Sequence, residues 1–262
     1  MKPNIILIIA FIFSANVIMS QSIDHIEGGQ YLKTIEYNLI MSGEKKEFDW
    51  YNLKHKSFID RLFFGTKNSF VEFIFEGSPE GSNEATAFRI IKNQQDDSYI
   101  IEITRFRNVH KLYNIRDLLL EKTTPLKIPY WISATFSFEI RDRIEEHNKQ
   151  IAILKNRDDL YEPYRPEPKE FQLSKEFAEK MHGKTATLID NFKGIGIPAN
   201  IFDGNNVTFR CISEDELWTL SIHCPQRRAL QLSELFQQII ADGFDNKMDE
   251  SKYLKLLDEI DL

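Results

Sequence analysis

Residues 201–211 read IFDGNNVTFRC, and residues 73–91 read FIFEGSPEGSNEATAFRII. Both hold Ile-Phe, an acid and Gly, then a short interval, then Phe-Arg. The likeness extends outward on both sides. FIDRLFFG (58–65) precedes the first stretch and LIDNFKG (188–194) precedes the second; YIIEI (99–103) follows the first and WTLSI (218–222) the second. Arg89 lies ten residues before Tyr99, and Arg210 eight before Trp218. A difference of two preserves the face that each strand residue takes, because strand side chains alternate with period 2. The pattern predicts an α+β fold built on an internal duplication. Two helix-plus-three-stranded antiparallel units, about 50–107 and 174–225, are expected, with extra helices between and after them. One continuous sheet with helices on one face hides strand edges better than two lobes, so a single globular region over 21–262 is expected.

The second unit is the clearer. Ser174 is a good N-cap, and Phe177, Met181, Thr185, Leu188 and Phe192 follow at helical spacing until GIGIP (194–198) ends the run. VTFRCIS and ELWTLSIHC then form a hairpin around Glu214 and Asp215. In this register Cys211 stands opposite Trp218. Phe209, Cys211, Trp218, Leu220 and Ile222 share an apolar face, and Thr208, Arg210, Thr219, Ser221 and His223 share a polar one. The chain has two cysteines, Cys211 and Cys224. The hairpin separates them by roughly 20 Å at about 3.4 Å per residue. A disulfide needs Cα atoms within about 7 Å, so two free thiols are expected.

Between the units, residues 134–157 place Phe136, Ile140, Ile144, Ile151 and Leu154 at helical spacing, which predicts a long amphipathic helix. DDLYEPYRPEPKE follows, with Pro163, Pro166 and Pro168, and reads as an extended linker; helix and linker together cover about 133–170. The chain ends in two helices over about 229–260. Leu232, Leu235, Phe236, Ile239 and Ile240 stripe the first, with Gly243 as its stop.

MKPNIILIIAFIFSANVIMSQS opens the chain with one Lys, an apolar run and small residues before Gln21. That order reads as a signal peptide over 1–20, cleaved to leave an exported protein, periplasmic or extracellular. The apolar core is short of the roughly 20 residues of a spanning helix, so no membrane span is expected in the mature chain. The formal charge is −7, from 33 basic and 40 acidic residues, with no basic stripe. That argues against nucleic acid and against anionic membrane surfaces as partners.

IDNFKGIGIPANIFDGNNVTFR followed by DELWTLSIHCP is similar to stretches in uncharacterised secreted proteins of Bacteroidota, a resemblance that covers residues 174–262. That family has no assigned activity, so the resemblance carries nothing functional over to this chain.

Five residues are candidates for ligand contact: Glu76, Arg89, Asp203, Arg210 and His223. Glu76 and Asp203 stand at strand-end turns, where a carboxylate could bind a ligand or act as a base; Asp-Gly-Asn-Asn also satisfies a tight turn without one. Arg89 and Arg210 could grip a carboxylate or sugar hydroxyls. An exposed-face Arg pairing with an acid such as Glu102 is the simpler expectation. Ser221 and His223 lie about 7 Å apart on one strand, too far for a nucleophile and its base. No G-x-S-x-G elbow, zinc-type His or Cys spacing, or phosphate-cradling loop occurs, so neither a catalytic residue, a metal nor a cofactor is expected. The leading expectation is a secreted or periplasmic binding or envelope-interaction module, with an unknown protein or glycan partner and an exposed aromatic patch. The alternatives are a hydrolase using Glu76 with Asp203, and a structural or assembly subunit.

Overall fold

The computed structural model describes residues 24–25, 31–37, 57–65, 69–78, 81–93, 95–155, 157–192, 204–213 and 216–262. The signal-peptide segment, GIGIP, Asp203 and the turn at 214–215 lie outside the described residues.

Eight strands form one antiparallel sheet. They are β1 (Asp24–His25), β2 (Tyr31–Tyr37), β3 (Val71–Glu76), β4 (Ala85–Lys92), β5 (Tyr99–Phe106), β6 (Lys169–Leu173), β7 (Asn206–Ser213) and β8 (Glu216–His223), in the order β1-β2-β8-β7-β3-β4-β5-β6. With its helices this is an α+β fold. β3 is the central strand of the five that carry the two sequence units, flanked by β4 and β7.

Alternation along these strands sends two kinds of row to the two faces. Ile103, Phe88, Phe73, Phe209 and Leu220 stand side by side across five strands, all buried. On that face pack α5 (Lys175–Asn191), α6 (Arg227–Phe244) and α7 (Glu250–Glu259). Phe236 of α6 meets Phe73 and Phe88 edge-on, with ring centroids 5.2 and 5.0 Å away. The expected caps and stripes are present. The Ser174 hydroxyl accepts from the Phe177 N–H, and Leu232, Leu235, Phe236, Ile239 and Ile240 are all buried.

The opposite face carries a second core under α1 (Phe58–Phe64) and α2 (Val109–Thr123), with Leu62, Phe63, Ile74, Ala87, Phe106 and Leu112 at its centre. Helices therefore cover both faces, not one. The apolar residues of β3 explain this: Phe73 and Phe75 point one way and Ile74 the other, and all are buried. A strand buried on both sides needs a layer on each.

Two further expectations change. The Pro-rich stretch is not an extended linker. It winds into 3-10 turns at Asp158–Leu160 and Glu162–Tyr164, buries Tyr161, and leads into β6. The Arg165 guanidinium donates to the Arg61 carbonyl and to Asp158, which folds the segment against α1. Gly243 does not stop α6, which continues to Phe244; a Cβ at Gly243 would press on Ile103, so close packing explains the glycine.

The structure does not reproduce the duplication as aligned by sequence. Hairpin β4–β5 runs outward from β3 on one side and β7–β8 on the other, with β4 and β7 pointing the same way. The one rotation that lays the first hairpin on the second is a half-turn about the strand direction. That turn would put Arg89 on the face opposite to Arg210, whereas both flank Glu72 on one face. The same half-turn does relate α1 and α5, which cover opposite faces, so it is the residue register matching Arg89 with Arg210, not the placement of these helices, that departs from the duplication.

Candidate functional site

One residue along from the aromatic row lies a charged one. Glu102, Arg89, Glu72, Arg210 and Thr219 stand side by side across β5, β4, β3, β7 and β8. The Ser-x-x-Asp spacing at Ser57 starts α1 with a capping box, in which Asp60 accepts from the Ser57 N–H at 2.6 Å. The same carboxylate reaches down to Arg210, whose Nη1 and Nη2 donate to it at 3.0 Å each. Nη1 also donates to Glu72 at 2.7 Å, and Nε to the Thr219 hydroxyl at 3.0 Å. Glu72 accepts from the Ser69 N–H at 3.0 Å with its other oxygen. Burial by itself would lower the Arg210 pKa, but Asp60 and Glu72 outweigh it and hold the guanidinium above its usual range.

Arg210 was expected on an exposed face. It is buried because α1 lies over β7 and brings Asp60 with it. Arg89 pairs with Glu102 at 2.5 Å, and its Nη1 caps the Phe64 carbonyl at 3.1 Å. Arg89 and Arg165 thus both donate to carbonyls at the C-terminal end of α1, where positive charge is favoured. With its side chains buried against each other, this network acts as a clasp for α1, closed to substrate.

A second row lies four residues along β3. Glu76 stands opposite Asn206, which stands opposite His223. His223 Nδ1 and Asn206 Oδ1 are 2.9 Å apart. Burial raises the Glu76 carboxyl above its usual range, against hydrogen bonds from Tyr113 and Asn206 and the nearby charge of Arg116. The fold therefore gathers two of the five candidates, Glu76 and His223, through an Asn between them. Arg89 and Arg210 gather separately, about 14 Å along the strands. Gly204, next to Asp203, sits so close to His223 and Cys224 that a Cβ there would overlap the Cys224 sulfur. This half-buried cluster can hold a proton or accept a hydrogen bond from a small polar group. Among the described residues it presents one carboxylate; Asp203, which with Glu76 would make the pair that glycoside chemistry uses, lies outside them. Among the described residues, no group of three His, Cys, Asp or Glu side chains could hold a metal ion.

Among the described residues, the most exposed large apolar side chains lie elsewhere. After α2 the chain passes through a short helix α3 (Tyr130–Ser133) into α4 (Phe138–Lys155), which buries none of its residues. Tyr130 is 85%, Trp131 72% and Phe138 70% exposed. Asn148 holds this arm in shape: its carbonyl oxygen accepts from the Leu126 N–H at 2.8 Å and its amide donates to the Leu126 carbonyl at 3.1 Å. A groove of about 390 Å³ opens between these segments, lined by Leu126, Ile128, Ser133, Arg141, Ile144, Glu145 and Asn148.

Asp60, Glu72 and Tyr113 were not singled out from sequence, and neither was the aromatic tip. The Ser57–Asp60 spacing was a usable signal for the first, and the run YWISATFSF for the last. Compared with known proteins, the chain matches no family model, no curated protein and no solved structure.

Proposed function

We propose that the protein is an exported, non-catalytic interaction module of the cell envelope that meets its partner through the tip of the 124–155 arm. The observation that carries this reading is the exposure of Tyr130, Trp131 and Phe138 within nine residues of one another. Fully buried aromatic side chains remove about 150–250 Å² each from water, so the three present on the order of 400 Å². A patch of that size on a monomer is often functional. The charged row supports the same reading from the other side. The Arg210 network closes on itself, its guanidinium held by Asp60, Glu72 and Thr219. No described helix is long and apolar enough to cross a membrane, so contact through a surface feature is the mode the described chain offers.

The test is site-specific photo-crosslinking in cells, with a benzophenone amino acid at position 130 and, as control, at position 230 on α6. Adducts in the envelope fraction from position 130 and none from position 230 support the reading. Absence of any adduct from position 130, with the protein confirmed as exported, would sink it.

A further inference from the structure

We infer that Cys224 is a covalent modification site, its thiol activated by His223, that takes low-molecular-weight disulfides by thiol–disulfide exchange. The support is a chain of four side chains at one end of the β7–β8 hairpin. It begins at Glu76. Once ionised, that carboxylate can only accept hydrogen bonds, so the Asn206 side chain turns its amide N–H toward it. The choice leaves Asn206 Oδ1 facing His223 Nδ1 at 2.9 Å. A carbonyl oxygen accepts and does not donate, so in the neutral ring Nδ1 carries the proton and Nε2 keeps its lone pair. Glu76 thus sets the tautomer of His223 through one intervening amide.

The Cε1–Nε2 edge of the ring faces Cys224. A Cβ built on Gly204 would lie 2.1 Å from the Cys224 sulfur, 3.1 Å from His223 Cε1 and 3.3 Å from Nε2. Thiol and basic nitrogen therefore border one space that the glycine leaves open. Consecutive residues of a regular strand point to opposite faces. Cys224 departs from that rule because β8 ends at His223 and Cys224 takes φ +53°, a left-handed backbone that residues with a Cβ rarely adopt. Its N–H donates to the Asn205 carbonyl at 2.8 Å, which holds the turn. Both residues are half-buried, whereas Cys211 is fully buried. A nucleophile, its base and a third group that orients the base are what thiol activation needs, and such a pair is often loose until the reacting group arrives.

In the step, His223 Nε2 takes the thiol proton and the Cys224 thiolate attacks one sulfur of the reagent R–S–S–R. A bond forms between Cys224 and that sulfur, and the S–S bond of the reagent breaks. The departing R–S⁻ takes the proton back from His223 and leaves as R–SH, so the reagent is itself the oxidant. Cys211 pairs with Trp218, six residues before Cys224 along β8, so the mixed disulfide stays on Cys224 and does not pass to a second thiol.

The experiment is reaction of the purified mature chain with oxidised glutathione at neutral pH, quenched with acid and read by peptide mass mapping. The same reaction in urea gives the rate of Cys224 in the unfolded chain, and circular dichroism checks the fold of each variant. Native Cys224 is expected to gain one glutathione at least about tenfold faster than in urea, and Cys211 none. His223→Ala should lose about tenfold, and added imidazole should restore part of it, which a purely structural loss would not allow. Asn206→Ala should lose a similar factor, and Asn206→Asp, which still accepts from Nδ1, should recover most of it. Gly204→Ala should stop the reaction by filling the space. A native rate at or below the unfolded one overturns the inference, as does a wild-type rate in His223→Ala or Gly204→Ala. The comparison of native with unfolded wild type uses no variant, so it decides the matter even where a substitution fails to fold. This site shares no residue with the 124–155 arm, so its failure leaves the crosslinking test of the arm untouched.

Discussion

Replacing Arg210 with Met tests the clasp directly. The side chains of Arg210, Asp60 and Glu72 are 5%, 3% and 1% exposed, so water does not screen the loss. The substitution keeps most of the apolar stem and removes four hydrogen bonds, two to Asp60, one to Glu72 and one to Thr219. It leaves two buried carboxylates without their shared cation. Removing one partner of a buried ion pair costs about 3–5 kcal/mol, and domains are stable by only about 5–15 kcal/mol. At roughly 2–4 °C per kcal/mol for a domain of this size, Tm should fall by about 10 °C. Urea unfolding followed by circular dichroism measures the free energy. A cycle with Glu72→Gln and the double variant isolates the pair, with an expected coupling of about 1–3 kcal/mol. The double variant should be milder than the sum of the singles, because it buries one charge fewer. A cost below about 1 kcal/mol for Arg210→Met, or no coupling, would show that the network does not hold α1 to the sheet.

Phe236→Ala should cost about 3–5 kcal/mol in the same urea assay, because its fully buried ring touches three others from β3, β4 and β7; a cost under 1 kcal/mol would mean that the layer collapses around the gap. Glu76→Gln should raise Tm at neutral pH. Burial lifts the folded-state carboxyl above its ordinary value of 4.5, so the folded form holds its proton longer than the unfolded one. Stability then falls as pH rises from about 4.5 through the raised value, and the benefit of Gln should be present at pH 7.5 and absent below pH 4. An equal benefit at both pH values would remove ionisation as its cause. Thiol titration should distinguish the cysteines: Cys211 is fully buried with its thiol pushed up to about 12, while Cys224 is half-buried and unbridged. At pH 8 a thiol reagent should modify one group in the native protein and two in urea. Two rapid reactions in the native state would contradict the packing of β7.

Much of the local structure was legible because its determinants lie within a few residues of each other. Ser174 caps a helix through a bond three residues on, and the 209–222 hairpin shows its register through its own alternation of apolar and polar residues. That register, Cys211 opposite Trp218, is the one in the fold. The same local reading placed α4: the spacing of Ile140, Ile144, Ile151 and Leu154 predicts a long amphipathic helix, and that helix is present, though it buries none of its residues and leaves Phe138 70% exposed. Periodicity reports that a helix has an apolar side, not whether another element arrives to cover it.

The sequence by itself determined the α+β class, the Ser174 cap and the register of the 209–222 hairpin, since propensity, capping and period-2 alternation act between near neighbours. Only the tertiary structure decided that β3 lies between β4 and β7, that helices cover both faces, and that Arg210 is buried. Asp60 and Glu72 reach Arg210 across 150 and 138 residues of chain. All the central strands carry similar Val, Ile and Phe patterns, so no single strand reveals its neighbour. The choice belongs to the whole sheet, where one register aligns Glu72 between two arginines and brings the rows of aromatic side chains together beneath α6.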